Sequence, residues 1–325
     1  MTLTQLRYIV ALAREGHFGH AAEACFVSQP TLSVAVRKLE DQLGVPLFER
    51  RSGHVVPTDV GRRIVAQAET VLAEANRINE LARAGQDQLA GELRIGAIFT
   101  IGPYVLPHLI PRLHRVAPRM PLIIEENYTR VLAEKLRQGD LDVILISPPF
   151  SEHGINLWPV YEEPFSVLLP SEHRLRERES IPSAELAGEN MLLLGDGHCF
   201  RDQVLSACPE CIGSDERMRP ARTTEGSSLE TIRHMVASGL GVTVVPKTSL
   251  GRWVGLNDHN DLLMERPFAD QAPTRQVAIA WRETFPRPEA VRAVRDALVD
   301  ARLEGVDYLP EAEPRNSETG KSLPL

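Results

Sequence analysis

The chain has 325 residues, 43% of them hydrophobic and 25% charged, with four cysteines and a formal net charge of −8. That length accommodates two or three domains around a substantial core, and so few cysteines argue against a disulfide-stapled secreted scaffold. The N-terminal MTLTQLRYIVALAREGHF lacks the layout of a signal peptide and no apolar run is long enough to span a bilayer, so a cytoplasmic protein without membrane contact is expected.

Residues 1–63 hold eight Lys/Arg against six Asp/Glu, a net +2 that leaves −10 on the remainder. A slightly basic head on an acidic body suits a small DNA-binding module joined to a larger domain. In LTQLRYIVALARE, Leu6, Ile9, Val10 and Ala13 recur at helical spacing and Gly16 ends the run. GHAAEAC predicts a second short helix packed through alanines, with Cys25 in its core, and FVS a tight turn. Ser28 can cap a third helix, QPTLSVAVRKLEDQLG, which tolerates Pro30 in its first turn and buries Leu32, Val36, Leu39 and Leu43. Gln29, Thr31, Ser33, Arg37 and Lys38 then face outward, side chains suited to phosphates and base edges. Helix, turn and polar-faced helix is the helix-turn-helix pattern, although an ordinary three-helix domain reads the same way by periodicity alone. VPLFERRSGHVVPT predicts a hairpin wing carrying Arg50 and Arg51.

Residues 58–84 predict one long helix. Val60, Ile64, Ala68, Val71, Ala75, Ile78 and Ala82 approximate a heptad seam, which pairs with a second copy or lies along the head. GQDQLAG reads as a hinge. From residue 91 apolar strands (LRIGA, LIIEE, DVILI) alternate with helices (PYVLPHLIPRLHRV, VLAEKLRQG), implying a parallel sheet. The pattern resumes in FSVLLP, NMLLLG, SLETIRHMVASGLGVTVVP and QVAIAW, and RPEAVRAVRDALVDARL is a last helix. The expected domains are 1–58 for the head, 59–90 for linker helix and hinge, and 91–308 for an α/β domain of two subdomains (91–161 with 269–308, and 162–268). A tail over 309–325, rich in Pro, Glu and Ser, is expected to be disordered.

GDGHCFRDQVLSAC, residues 195–208, places Cys199 and Cys208 nine positions apart. His198 and Arg201 can supply positive potential beside Cys199, and a helix beginning there would direct its dipole at the sulfur. A cysteine pair in a reducing compartment can serve redox sensing, metal binding or catalysis, or be inert packing. His198, Cys199, Cys208 and Cys211 are zinc-capable, but there is no second Cys-x-x-Cys and adjacent His198 and Cys199 are an awkward ligand pair, so no metal or cofactor is expected. Thiol peroxidase activity is the enzyme alternative, and the DNA-binding head speaks against it. Thr100 and Thr129 each follow a predicted strand, where they would cap helices, line a ligand crevice, or both.

FGHAAEACFVSQPTLSVAVRKLEDQLGVPLFERR with PTDVGRRI resembles the DNA-binding end of LysR-type transcriptional regulators, and MVASGLGVTVVP resembles their effector domain. The resemblance covers roughly residues 1–300. It implies a winged helix-turn-helix, a dimerising linker helix, and two Rossmann-like subdomains of periplasmic-binding-protein type in a homodimer or homotetramer. Within the family, GDGHCFRDQVLSAC is similar to the hydrogen peroxide sensors. That likeness implies Cys199 as the sensing thiol and Cys208 as the resolving one, with Thr100, Thr129, His198, Arg201, Asp202 and Arg266 around the peroxide. Cys211 departs from the family pattern and is expected as a slower substitute. Ser28, Gln29, Pro30, Thr31, Ser33, Arg37, Lys38, Arg50 and Arg51 are the implied DNA contacts. The implied partners are promoter DNA, RNA polymerase, further copies of the chain, and a glutaredoxin- or thioredoxin-type reductant. A regulator that answers a small metabolite in the same cleft is the alternative.

Overall fold

The computed structural model describes every residue except 52–53, 85–86, 209–223, 251–261, 270–271 and 323–325. It divides into two units, Met1–Gly85 and Gln86–Leu325.

In the first unit, local signals set each helix end. α1 (Leu3–Glu15) begins with a capping box between Thr2 and Gln5 and stops at Gly16, whose φ of +61° is left-handed. α2 (Phe18–Ala24) follows, and α3 (Gln29–Leu43) starts under the Ser28 hydroxyl, which accepts from the Thr31 amide at 3.4 Å. Leu6, Ile9, Leu12, Ala21, Leu32, Val36 and Leu39 form one buried cluster that also takes in Leu47 and Val55 of the wing. The wing is an antiparallel hairpin of β1 (Phe48–Arg51) and β2 (His54–Pro57). Glu40 on α3 ties it down, its Oε1 accepting from the amides of Leu47 at 2.7 Å and Phe48 at 3.2 Å. α4 (Asp59–Ala84) is the long helix. Its Ile64 and Ala68 pack on the head's core, whereas Val60, Val71 and Ile78 stay exposed. The expected seam therefore splits, one part lying along the head and the other facing outward.

The second unit is built on a mixed sheet. β3 (Leu93–Ile98) lies parallel between β4 (Leu122–Asn127) and β5 (Val143–Ile146), joined by α5 (Gly102–Val116) and α6 (Thr129–Gln138). Two more strands extend that core, the nearer one antiparallel to β5 and the next antiparallel to its neighbour, so that it runs in the direction of β5 again. β6 is 16 residues long, Ile155–Pro170. Its first half pairs with a late strand, Thr274–Arg282, which in turn pairs with β5. Its second half pairs with Leu263–Pro267 and Thr243–Pro246. The strand therefore runs from one hydrophobic core, which includes Leu93, Leu109, Ile144, Val160 and Ile279, into a second, which includes Phe165, Val167, Leu192, Phe200 and Val244. The second core also holds β7 (Leu192–Leu194), α8 (starting at Cys199 and ending at Ala207), β8 (Thr224–Gly226) and α9 (Leu229–Ala237). In chain order Thr243–Pro246, Leu263–Pro267 and Thr274–Arg282 are β9, β10 and β11, and α10 (Pro288–Asp300) packs on the first core.

The tail departs from expectation. Rather than being disordered from 309, it folds back along the other edge of β6, where β12 (Asp307–Tyr308) and β13 (Arg315–Asn316) pair antiparallel with it. The Trp158 indole donates to the Ala312 carbonyl at 2.7 Å, and Arg295 stacks 4.8 Å above its ring. Composition describes a chain in isolation; here an unpaired strand edge supplies the backbone partners that make ordering worthwhile. Trp158→Ala removes a side chain only 5% exposed together with that clamp. Urea denaturation is expected to show a loss of about 3–5 kcal/mol, and a loss under about 1 kcal/mol would mean that the tail is merely laid on the surface.

Candidate functional site

The outward face of α3 carries Gln29, Pro30, Thr31, Arg37 and Lys38, all exposed, with Ser33 half-buried beside them. Ser28 is occupied as the cap. Arg50 and Arg51 belong to β1, and their side chains lie outside the described residues, as does the whole of Cys211.

A second constellation forms where the carboxyl ends of β3 and β4 meet the start of α8. Phe99 and Thr100 come from the first strand end, Asn127, Tyr128 and Thr129 from the second, and Gly197, His198 and Cys199 from the turn into α8. They enclose a cavity of about 10 Å³, room for the centre of a single water-sized molecule. Carboxyl ends of adjacent parallel strands leave such a crevice because their connections diverge. Gly197 adopts φ +93°, and a Cβ there would lie 3.4 Å from the Tyr128 ring. The left-handed backbone, rather than lack of space beside the aromatic, is what calls for glycine in this turn.

Neither threonine is a helix cap. The cap positions are Ile101 and Tyr128, with no side-chain cap bond at either. Thr100 is 2% exposed, and its Oγ1 accepts from Arg275 Nη1 at 2.9 Å while its carbonyl accepts from Nη2 at 2.8 Å. Thr129 is the first residue of α6, and its buried Oγ1 has no hydrogen-bond partner. The His198 Nε2 is likewise buried and unpartnered. The His198 ring lies 4.8 Å from Tyr128 and 5.8 Å from Phe99, centroid to centroid. Burial pushes its proton affinity below that of ordinary imidazole, opposed in part by a hydrogen bond to the Ser227 backbone. With Nε2 unpartnered, that bond belongs to Nδ1, which leaves Nε2 as a bare acceptor.

Cys199 is the first residue of α8, half-buried and packed against the first core. Cys208 closes the same helix, wholly buried in the second core, its amide donating to the Val204 carbonyl at 2.9 Å. Both are thiols. Nine helical residues at about 1.5 Å each separate their Cα atoms by roughly 13 Å and turn them to opposite faces. Gln203 tethers the middle of the helix to the loop after β5, donating to Ser147 Oγ at 2.9 Å and to the Pro148 carbonyl at 3.1 Å.

The expected cations are placed otherwise. Arg201 is engaged with the Leu194 carbonyl at 2.7 Å, Glu225 at 3.0 Å and Asp196 at 3.3 Å, while Asp202 points to solvent. Arg266 does not reach the cavity. The pairing of β10 with the far half of β6 carries it to the turn at 176–178, where its Nη2 donates to the Arg176 carbonyl at 2.7 Å and its Nε to the Arg178 carbonyl at 2.5 Å. The arginine that touches the site is Arg275, buried on β11. Its sequence signal is weak, a charged residue at the head of the apolar strand TRQVAIAW. Among the described residues no three His, Cys, Asp or Glu side chains gather as a metal site requires.

Residues 3–62 match the bacterial regulatory helix-turn-helix protein of the lysR family, and residues 86–302 match the LysR substrate binding domain. The chain belongs to the LysR family of transcription regulators. It is 38% identical over 305 residues to the DNA-binding transcriptional dual regulator OxyR of Escherichia coli, covering 94% of this chain and 97% of that one. It is similar to the full-length OxyR of Pseudomonas aeruginosa bearing a Cys-to-Asp substitution (54% identity, 93% and 95% coverage, TM-score 0.69). It also resembles a peroxide-bound Cys-to-Ser mutant of OxyR from Corynebacterium glutamicum (31% identity, 94% and 93% coverage, TM-score 0.61). A LysR member of this type is a DNA-binding regulator and not an enzyme. No described helix is long and apolar enough to cross a membrane.

The depressed proton affinity of His198 has a measurable consequence. An unfolded imidazole binds its proton at about pH 6.5, above the folded value, so between the two only the unfolded chain is protonated. His198 therefore favours folding above about pH 6.5 and loses that contribution as pH falls through its lower folded value. NMR titration of the His198 ring is expected to give a midpoint below 6.5, with Nδ1 protonated throughout the neutral range. A midpoint at or above 6.5 would contradict the buried, neutral assignment.

Proposed function

We propose that the chain is a transcription regulator that senses hydrogen peroxide through Cys199. The observation that carries this reading is the water-sized cavity at the start of α8, where Cys199 meets the unpartnered Thr129 Oγ1 and His198 Nε2. Peroxide is two oxygens and two protons, and a cavity this small suits it better than a metabolite, whose pockets run to about 300 Å³ or more. The relatives' names point the same way.

The Cys199 thiolate, at the N-terminal end of α8, attacks one peroxide oxygen. The O–O bond breaks, Sγ gains a hydroxyl, and hydroxide leaves and becomes water with one proton. The Thr100 and Thr129 hydroxyls and His198 orient the peroxide. Cys208 then displaces the hydroxyl as a second water and forms the S–S bond, so that two thiols have given up two electrons. A disulfide holds its Cα atoms at about 4.4–6.8 Å, against roughly 13 Å along an intact α8. The helix therefore unwinds, and the bond selects a second conformation of the regulatory unit. Cys211 serves as a slower partner when Cys208 is missing. A glutaredoxin- or thioredoxin-type reductant resets the pair.

The output runs through DNA. Gln29, Pro30, Thr31, Ser33 and Arg37 on α3 read the major groove, with Ser28 as cap, and Lys38, Arg50 and Arg51 hold phosphates. Two copies paired through the exposed Val60, Val71 and Ile78 of α4 present two such helices to a pseudo-palindromic promoter site, and homotetramers engage RNA polymerase in the cytoplasm.

Peptide mapping by mass spectrometry after peroxide treatment is expected to find Cys199 joined to Cys208, and Cys199→Ser is expected to abolish the response. A dominant Cys208–Cys211 bond with Cys199 still reduced would overturn the mechanism. For DNA, Arg37→Ala and Arg51→Ala differ in kind. Arg37→Ala relaxes sequence preference by about 1–3 kcal/mol, whereas Arg51→Ala weakens all sequences alike and lowers the salt slope by about 1. Indistinguishable salt slopes for wild type and Arg51→Ala in gel-shift titrations would remove the wing from the interface.

A further inference from the structure

Arg275 and Glu163 form an ion pair with both side chains fully buried, Arg275 Nη2 to Glu163 Oε1 at 2.6 Å and Nε to the same oxygen at 2.7 Å. They are cross-strand neighbours on β11 and β6, at the point where β6 passes from one core to the other. The second carboxylate oxygen of Glu163 is also held. It accepts from the Thr248 hydroxyl at 2.7 Å and the Thr248 amide at 3.1 Å, in the single-turn helix Lys247–Leu250 after β9. On the other side Arg275 binds Thr100 and lies 5.2 Å from the ring centroid of Phe200, the residue after Cys199.

Two consequences follow. A hydroxyl oxygen that accepts from Arg275 keeps its own proton for another acceptor, so Thr100 is left as a donor toward the cavity. A guanidinium held against a carboxylate without solvent presents Thr100 with oriented N–H groups and almost no net charge. We propose that Glu163 is a positioning residue of the peroxide site: it clamps Arg275, aims it at Thr100, and cancels the charge that Arg275 would otherwise exert on Cys199. This inference rests on the peroxide reading and deepens it, since it assigns the pH range of the reaction to a residue that touches neither thiol nor peroxide. The other titratable groups around Cys199 are His198 and Asp196 in the preceding turn, Arg201 and Asp202 on α8, Glu225 on β8, and Glu126 and Tyr128 at the end of β4. Arg201 is matched by Asp196 and Glu225, and burial raises Glu126 and lowers His198 toward neutrality.

The test uses the full chain with Cys208→Ser and Cys211→Ser, so that oxidation stops at the sulfenic acid, which is trapped with dimedone and counted by mass spectrometry as a function of pH. In this background Glu163→Gln keeps an acceptor for Arg275 but leaves its charge uncompensated, and the midpoint of the rate profile is expected to fall by about one pH unit. Arg275→Gln leaves the carboxylate alone and is expected to raise it by a similar amount, while Glu163→Asp, which keeps the charge, stays nearer the parent. Should the single charge deletions not fold by near-ultraviolet circular dichroism, Thr248→Val removes one donor from the carboxylate with both charges in place. It is expected to raise the midpoint by a few tenths of a unit. An unmoved midpoint in folded Glu163→Gln, or in Thr248→Val where Glu163→Gln does not fold, overturns the proposal. A background protein that forms no sulfenic acid at any pH removes the peroxide reading itself and this inference with it.

Discussion

The rise of an α-helix limits what the two cysteines of α8 can do. Because Cys199 opens the helix and Cys208 closes it, their separation is set by backbone geometry at roughly 13 Å, and by packing each thiol belongs to a different core. A bond between them is incompatible with the helix, and the helix is held by real contacts: Phe200 and Val204 in the second core, Gln203 tied to Ser147. On the proposed mechanism, joining Cys199 to Cys208 competes directly with folding of a nine-residue element. That competition would turn a covalent event into a conformational one, since neither state can be a small distortion of the other.

The remaining features of the site serve that element. The strand ends of β3 and β4 stop where the first turn of α8 begins, and Gly197 supplies the left-handed backbone of the turn beside Tyr128. Charges nearby are matched in pairs: Arg201 with Asp196 and Glu225, Arg275 with Glu163. Local polarity at Cys199 is thereby left to the helix terminus, the hydroxyls of Thr100 and Thr129, and a neutral imidazole. Oriented dipoles fixed by folding stabilise a developing charge without having to reorganise. The pairing of β6 with β9, β10 and β11 adds mechanical continuity, because the ion pair joins Arg275 on β11 to Glu163 on β6, the strand shared by both cores.

Much of this was legible in the sequence wherever the signal is local. Caps at Ser28, Gly16 and Gly44 mark the helices of the head, and apolar runs of strand length mark β3, β4, β5 and β11. The cluster of Thr100, Thr129, His198 and Cys199 could be named before it was seen assembled, through its likeness to a family. The first half of β6 could not, because Pro159, Glu162, Glu163 and Pro164 interrupt its apolar pattern. Those acidic residues belong there only because Arg275 and Thr248 meet Glu163 from distant parts of the chain. Arg266 and Arg275 illustrate the same limit, since nothing in MERPF or TRQV tells which guanidinium binds Thr100 and which binds carbonyls of a turn. The folded tail is a third case, its order supplied by the open edge of β6 and by Trp158.

Amide hydrogen exchange across residues 199–208, on the full chain before and after a stoichiometric dose of peroxide, tests the exclusion between helix and disulfide most directly. In the reduced protein the amides from Leu205 to Cys208 are expected to be protected, as the bond from Cys208 to the Val204 carbonyl implies. After oxidation that protection is expected to vanish in the same molecules that carry the Cys199–Cys208 bond, and to return on reduction. Undiminished protection of α8 in protein whose disulfide has been mapped to Cys199 and Cys208 would contradict the account.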